Sequence, residues 1–227
     1  MPMVIAFISQ KGGVGKSTLA RALGSVVAHG GLSVLIADLD TQQSTSLHWQ
    51  KLRQKTSSDA EIDVHSYPSV DDAVLDADDY DVLIIDAPGR VSRSTLEIAR
   101  TSHLVVIPTG PSLDDLHPTV LLHHELTSAG IGCDRIVCAI CRTLSKEEER
   151  DAREYLTAAN CIVLPGALPE RAAYRSAHNQ GRSITETENL KLNATADALI
   201  ETWLNRIAAK FERPERERKS KKKGSSQ

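Results

Sequence analysis

Gln10-Lys11-Gly12-Gly13-Val14-Gly15-Lys16-Ser17-Thr18 follows an apolar run, Met3 to Ile8, and opens a helical pattern of Leu19, Ala20, Leu23, Val26 and Val27. The order reads as strand, phosphate loop, helix. Gly12, Gly13 and Gly15 let successive backbone N–H groups point into one concavity, and the helix behind them adds the positive end of its dipole. Lys16 is placed to reach the outer phosphates of a nucleotide and Ser17 to ligate Mg²⁺; the alternative is a glycine-rich turn with two solvated lysines. The common spacing GxxxxGK[ST] asks for glycine at position 10, where the chain has Gln10. Beside it stands a second lysine, Lys11.

The surrounding chain suits one α/β domain. Its 227 residues, 41 % of them hydrophobic, are enough for a single well-packed core and too few for two ordinary ones. Aromatics make up only 4 %, so the core is expected to be aliphatic, as in sheets covered on both faces by helices. The net charge is −3, which argues against a broadly basic nucleic-acid binder, but it is unevenly spread. Between Lys210 and Gln227, eight Lys and Arg against three Glu give the tail +5 and leave −8 on the body. The first strand follows Met1-Pro2 with no basic leader, and no apolar run approaches the ~20 residues of a membrane span, so an intracellular, cytoplasmic protein is expected. Cys138-x-x-Cys141 has a metal or redox spacing, yet it lies in an apolar strand, where residues three apart point to opposite faces, so packed, inert thiols are expected.

Taken in order, strands are predicted at residues 32–37, 62–67, 80–85, 104–107 (ended by Pro108), 135–141 and 162–164. Helices are predicted at 44–52, 70–77, 113–129 and 145–159. Repeated strand-helix alternation implies a doubly wound, mainly parallel sheet with helices on both faces. Asp38-Leu39-Asp40 and Asp86-Ala87-Pro88-Gly89 both close predicted strands, at the edge where such folds place ligand chemistry. Asp86, after Val82-Leu83-Ile84-Ile85, has the form of a Walker B carboxylate that holds Mg²⁺ through water, or else of a turn former. Leu192, Ala196, Leu199, Trp203, Ile207 and Phe211 recur at helical spacing. Apolar residues stop there, so the chain divides into a domain over 1–211 and a basic appendage over 212–227, expected to be unstructured.

Lys11 to Thr18 resembles the deviant Walker A loop of the ParA/MinD group of P-loop ATPases, a SIMIBI-like P-loop NTPase fold. Asp38-Leu39-Asp40-Thr41-Gln42 is similar to that group's D-x-D-P-Q segment, with Thr41 where proline is usual. Asp86-Ala87-Pro88-Gly89 is similar to its Walker B and the switch that follows. The resemblance covers roughly residues 3–207, and what it implies is an ATPase using ATP and Mg²⁺. Lys11 would reach the phosphates of a nucleotide held by a second subunit, making an ATP-dependent homodimer. Lys16 would hold the β- and γ-phosphates, Thr18 would lie near the α-phosphate, and Gly12, Gly13, Val14 and Gly15 would cradle the nucleotide. Ser17 and Asp86 would serve the metal, and Asp40 would activate water.

Pro169 to Arg175 and Gly181 to Ile184 are similar to a family segment that holds DNA without sequence preference, which nominates Arg171, Arg175 and Arg182. A solvated charged helix face would look the same. Lys219, Lys221, Lys222 and Lys223 of the tail are further DNA candidates on charge alone. Lacking an N-terminal helix-turn-helix region, the chain resembles the short plasmid-type ParA proteins. These partition DNA from a nucleoid-associated state, and a ParB-like centromere-binding protein stimulates their hydrolysis. Two other classes remain: a MinD-like ATPase that positions cargo on a membrane or nucleoid, and a metabolic P-loop enzyme of the same fold. The tail has no apolar face to bury in lipid, which favours no membrane partner.

Overall fold

The computed structural model describes residues 1–41, 45–55, 60–89 and 93–223, with side chains for all of these but 93 and 209–223. The elements are β1 (Met3–Phe7), α1 (Lys16–His29), β2 (Val34–Asp38), α2 (Thr45–Arg53), β3 (Asp63–Ser66), α3 (Val70–Asp76), β4 (Val82–Asp86) and α4 (Arg93–Thr101). They continue with β5 (Leu104–Thr109), α5 (Leu113–Ser128), β6 (Ile136–Thr143), α6 (Lys146–Ala158), β7 (Leu168–Pro169), α7 (Ala172–Asn179) and α8 (Leu190–Lys223). The strands form one seven-stranded sheet in the order β3-β2-β4-β1-β5-β6-β7. Every pairing is parallel, so the doubly wound α/β expectation holds.

Period-two alternation along the strands divides the core in two. Ile5 and Phe7 of β1 face α1, α2, α7 and α8, together with Leu19, Leu23, Trp49, Tyr174 and Trp203. Val4, Ala6 and Ile8 face α3 to α6, together with Ala73, Ile98, Leu122 and Leu156. The stripe read from α8 is the packed one: Ala196, Leu199, Trp203 and Ile207 are buried, and Trp203 meets Phe7 at 5.7 Å between ring centroids. Cys138 and Cys141 join opposite core layers, as their spacing required.

Beyond shifts of one or two residues at strand ends, the elements depart from expectation in the following places. Pro108 continues β5 instead of ending it, because the pairing with β1 stops at Val106 and only β6 accompanies the last residues. A proline's missing N–H is tolerated where one side of the strand has no ladder. The apolar run at 162–164 makes only a single bridge, Cys138 to Val163, and the edge strand falls instead at Leu168–Pro169. Helix α4 was not foreseen, its apolar residues being too few for a clear period. The backbone of α8 runs on to Lys223, through most of the segment that composition assigned to an unstructured appendage. Glu, Arg and Lys have high helix propensity, which carries a helix past the end of its apolar face.

Parallel registers align strand ends, and this positions the chemistry. Asp86 is in register with Phe7 on one side and with Asp38 on the other. The loop after β1 and both acidic strand ends therefore open on one edge of the sheet.

Candidate nucleotide site

The loop from β1 to α1 turns on glycines in left-handed conformations, Gly13 at φ 75° and Gly15 at φ 114°. Gly15 caps α1, and no acidic residue occupies the helix's first turn. The positive dipole end and the loop N–H groups are thus left to an anion. Lys16 is 7 % exposed and donates from Nζ to the Lys11 carbonyl at 3.1 Å. Burial lowers its pKa, while the nearby carboxylates of Asp86 and Asp40 raise it. One cation and the two predicted acids are therefore brought together. Gly89 lies against the loop: a Cβ there would stand 3.3 Å from Gly12 Cα and 3.8 Å from Lys16 Nζ.

Lys11 is half-buried beside the same loop. Its Nζ pairs with Asp115 Oδ1 at 3.2 Å, and Ser112 of the turn before α5 donates to the other Asp115 oxygen at 3.0 Å.

Asp86 is 3 % exposed and its two oxygens differ. Oδ2 accepts the Ser46 hydroxyl at 2.8 Å, whereas Oδ1 finds no partner among the described residues. An orphaned buried carboxylate oxygen is costly unless a ligand or its water takes it up, so the donor set fits Mg²⁺. Burial pushes the Asp86 carboxyl upward, against the opposing pull of Ser17, Ser46, Arg21 and Lys16. Among the described residues no group of three His, Cys, Asp or Glu is set to hold a metal alone. Mg²⁺ in nucleotide sites needs no such group, because it takes substrate phosphates and water for most of its ligands. Asp38, deeper than either predicted acid, is a brace: its Oδ1 accepts Asp40 N–H at 3.0 Å and its Oδ2 accepts Ser46 N–H at 2.9 Å. Gln42 of the switch segment lies outside the described residues.

A cleft of about 480 Å³ opens from Gly13, Gly15, Lys16, Ser17 and Thr18 toward β6, β7 and α7. Its far wall is built by Cys141, Arg142, Leu168, Pro169, Tyr174 and His178. Sequence reasoning nominated none of these residues for the nucleotide, although Pro169 and Tyr174 lie in the segment it compared with a DNA-holding one. One signal is visible only in the backbone: Arg142 has φ 61°, a conformation uncommon outside glycine, and its guanidinium donates to the Gly13 carbonyl at 3.2 Å. Glu170 pairs with Arg142 at 3.4 Å and with Arg175.

The DNA candidates do not assemble into one patch. Arg171 and Arg175 are exposed on the rim of the phosphate-loop cleft. Arg182 lines a separate small hollow with Glu186 and Asn189, and its carbonyl accepts the Trp49 indole N–H at 3.0 Å. Lys219, Lys221, Lys222 and Lys223 are described as backbone only.

The sequence is 32 % identical over 116 residues to Protein ParA of Rhizobium radiobacter, a match that spans about half of that relative, 51 % of each chain. It is 24 % identical over 186 residues to the maintenance of carboxysome distribution protein A of Gloeobacter kilaueensis, covering 82 % of this chain and 85 % of that one. Its fold resembles the septum site-determining protein MinD complexed with Mg-ADP from Pyrococcus horikoshii, with TM-score 0.65 at 17 % identity over 89 % of this chain and 94 % of the other. Residues 5–199 match the CobQ/CobB/MinD/ParA nucleotide binding domain, and the chain belongs to that family.

Proposed function

We propose that the protein is an ATP-driven DNA partition switch: it dimerises with ATP, binds DNA without sequence preference, and lets go on hydrolysis. The observation that carries this reading is the placement of two lysines on one phosphate loop. Lys16 is buried and turned inward, toward Asp86 and Asp40, while Lys11 is half-exposed at the edge. The inner lysine binds the β- and γ-phosphates of the subunit's own ATP. The outer one serves the nucleotide of a second copy.

Thr18 lies near the α-phosphate, and the apolar wall of Leu168, Pro169 and Tyr174 receives the base. Ser17 would hold Mg²⁺ directly and Asp86 through water, and the ion would supply neutralisation of charge on the transferring phosphoryl group. Asp40, steadied through its backbone by Asp38, orients the attacking water and accepts its proton. Arg171, Arg175, Arg182 and the lysines of the tail contribute DNA contacts, and a ParB-like partner on a centromere-like site stimulates turnover. The protein acts in the cytoplasm, on the nucleoid.

A second reading keeps the mechanism and changes the cargo. The relative named for carboxysome distribution matches over the larger share of this chain, which favours positioning of a protein assembly on nucleoid DNA. No described helix is long and apolar enough to cross a membrane. Binding to non-specific duplex DNA and to anionic liposomes, each with ATP, with ADP and without nucleotide, tests the proposal. ATP-dependent retention on DNA is expected. ATP-dependent retention on liposomes alone would transfer the protein to the membrane-positioning class.

A further inference from the structure

We infer that Ser46, held by Arg21, is a positioning residue that aims a single oxygen of Asp86 at the metal. The inference rests on Asp86 being the metal carboxylate, as proposed above. A buried carboxylate at a strand end has two chemically equal oxygens and a soft terminal torsion, so something must choose which oxygen faces the ligand. Two hydroxyls act on Asp86, those of Ser17 and Ser46, and the one that fixes Oδ2 is Ser46. Ser46 sits in the first turn of α2, fully buried, and its Oγ–H donates to Asp86 Oδ2 at 2.8 Å.

The hydroxyl is itself fixed from two sides. Arg21 Nε, from α1, donates to Ser46 Oγ at 3.2 Å, so the hydroxyl's lone proton is left for Asp86. The Ser46 backbone N–H is tied to Asp38 Oδ2 at 2.9 Å, which anchors the start of α2 to the end of β2. Arg21 is 7 % exposed and lies 5.5 Å from the centre of the Trp49 ring, one turn further along α2. Helices α1 and α2 thus hold the rotor in one state. The result is an asymmetric carboxylate, with Oδ2 occupied and Oδ1 without a hydrogen-bond partner among the described residues.

The same frame sets the other acid. Asp38 uses its second oxygen for the Asp40 N–H at 3.0 Å, so one buried side chain aligns the segment bearing Asp40 with the serine that steadies Asp86. Removal of the Ser46 hydroxyl leaves Asp38 and its two backbone partners in place. It frees Asp86 to turn and leaves Arg21 Nε unpaired. Partners behind a metal's direct ligands typically contribute about 10- to 100-fold to metal affinity, and because Asp86 reaches Mg²⁺ through water the lower end of that range applies to Ser46.

The test compares the parent with Ser46→Ala, Ser46→Thr and Asp86→Asn, each as the full chain. Binding of a fluorescent ADP is measured in EDTA, and Mn²⁺ binding to the ADP complex is followed by electron paramagnetic resonance. Ser46→Ala is expected to keep parental ADP affinity in EDTA within about two-fold and to lose roughly ten-fold in Mn²⁺ affinity. Ser46→Thr, which keeps the hydroxyl, is expected to restore it. Should the alanine variant not fold, Ser46→Cys, nearly isosteric and a weaker donor, is expected to show the same selective loss. Parental Mn²⁺ affinity in the variant lacking the hydroxyl, or an equal loss of metal-free ADP binding, would overturn the positioning role while leaving Asp86 as metal carboxylate. Parental Mn²⁺ affinity in Asp86→Asn would overturn the metal assignment itself, and the positioning role with it.

Discussion

Lys11 Nζ lies 3.2 Å from Asp115 Oδ1, an ion pair within one chain that joins the phosphate loop to the first turn of α5. A lysine that serves a second subunit's phosphates must first leave this partner. The pair is partly exposed, and such pairs are worth up to about 1 kcal/mol, or roughly five-fold in an equilibrium. Asp115→Asn is therefore expected to lower, by up to about five-fold, the protein concentration at which ATP drives dimerisation. Lys11→Ala is expected to bind ATP as a monomer and never dimerise. Light scattering across a concentration series reads both. A parental midpoint in Asp115→Asn would show that the contact does not compete with assembly.

Lys16→Ala removes the buried ammonium around which Asp86 and Asp40 converge. A charge-assisted hydrogen bond contributes about 1.5–3 kcal/mol, so ATP affinity should fall by about 10- to 150-fold. Asp40→Ala should instead bind ATP normally, dimerise and stay dimeric, because the group that orients water is lost while the phosphate contacts remain. Nucleotide titration and dissociation kinetics separate the two. Equal ATP affinity in Lys16→Ala and the parent would remove the phosphate-loop assignment.

Two partly buried groups, His178 and Glu186, give the fold a stepped response to acid. Burial, and then the charge of Arg21, lower His178 to about 4. Its Nε2 is buried and finds no hydrogen-bond partner among the described residues. The unfolded chain takes that proton near pH 6.5, so the stability is fully present above 6.5 and is lost as pH falls toward 4, up to roughly 3 kcal/mol. Burial would raise Glu186, but Arg53, Ser25 and the Ser183 N–H overcome it and hold it at about 2. Its contribution is intact above pH 4.5 and is lost as pH falls from 4.5 toward 2. Urea midpoints measured from pH 7 to 3 should decline in the parent from about pH 6.5. His178→Leu should decline less than the parent between about pH 6.5 and 4.5, with the remainder coming from His103, which burial also lowers, and the Glu186 step should begin at about pH 4.5. A parent with constant stability between pH 7 and 5 would rule out the histidine step.

What could be read from the sequence divides along the same line as what is local in the chain. The phosphate loop was legible because three glycines and two lysines within eight residues satisfy a backbone requirement that needs no distant partner. Strands β1, β2 and β4 were legible because central parallel strands are apolar throughout, and β2 and β4 each end in an acid at the functional edge while β1 runs into the glycine-rich loop. Ser46 was not, since its meaning comes from Asp86, Arg21 and Asp38, which lie 40, 25 and 8 residues away. The cleft wall was hidden for a related reason. Cys141 and Arg142 meet Leu168 and Tyr174 only once the crossover through α6 has laid β7 beside β6. Arg171 and Arg175 were picked out as charges in the right segment, but their place beside the phosphate loop depends on that same crossover.

That placement sharpens what the DNA contacts must do. Non-specific binding arises from phosphate neutralisation, so log K should fall with log salt by about 0.9 per phosphate contacted. If the tail supplies about three contacts, truncation after Ala209 should flatten the slope by ~2.7, because lysines beyond the packed stripe of α8 are available with or without nucleotide. The ATP dependence should survive the truncation. Arg171 stands exposed on the rim of the phosphate-loop cleft, where on the proposed mechanism nucleotide and a second copy would both act on its surroundings. Arg171→Ala is thus expected to remove the ATP-dependent part of DNA affinity and keep the part contributed by the tail. Filter binding of the parent, the truncation and Arg171→Ala across a salt series, with and without ATP, separates the two contributions. A truncated chain with the parental slope would assign the basic segment to solubility or to a protein partner, and an Arg171→Ala variant with full ATP dependence would leave that arginine to the nucleotide cleft alone.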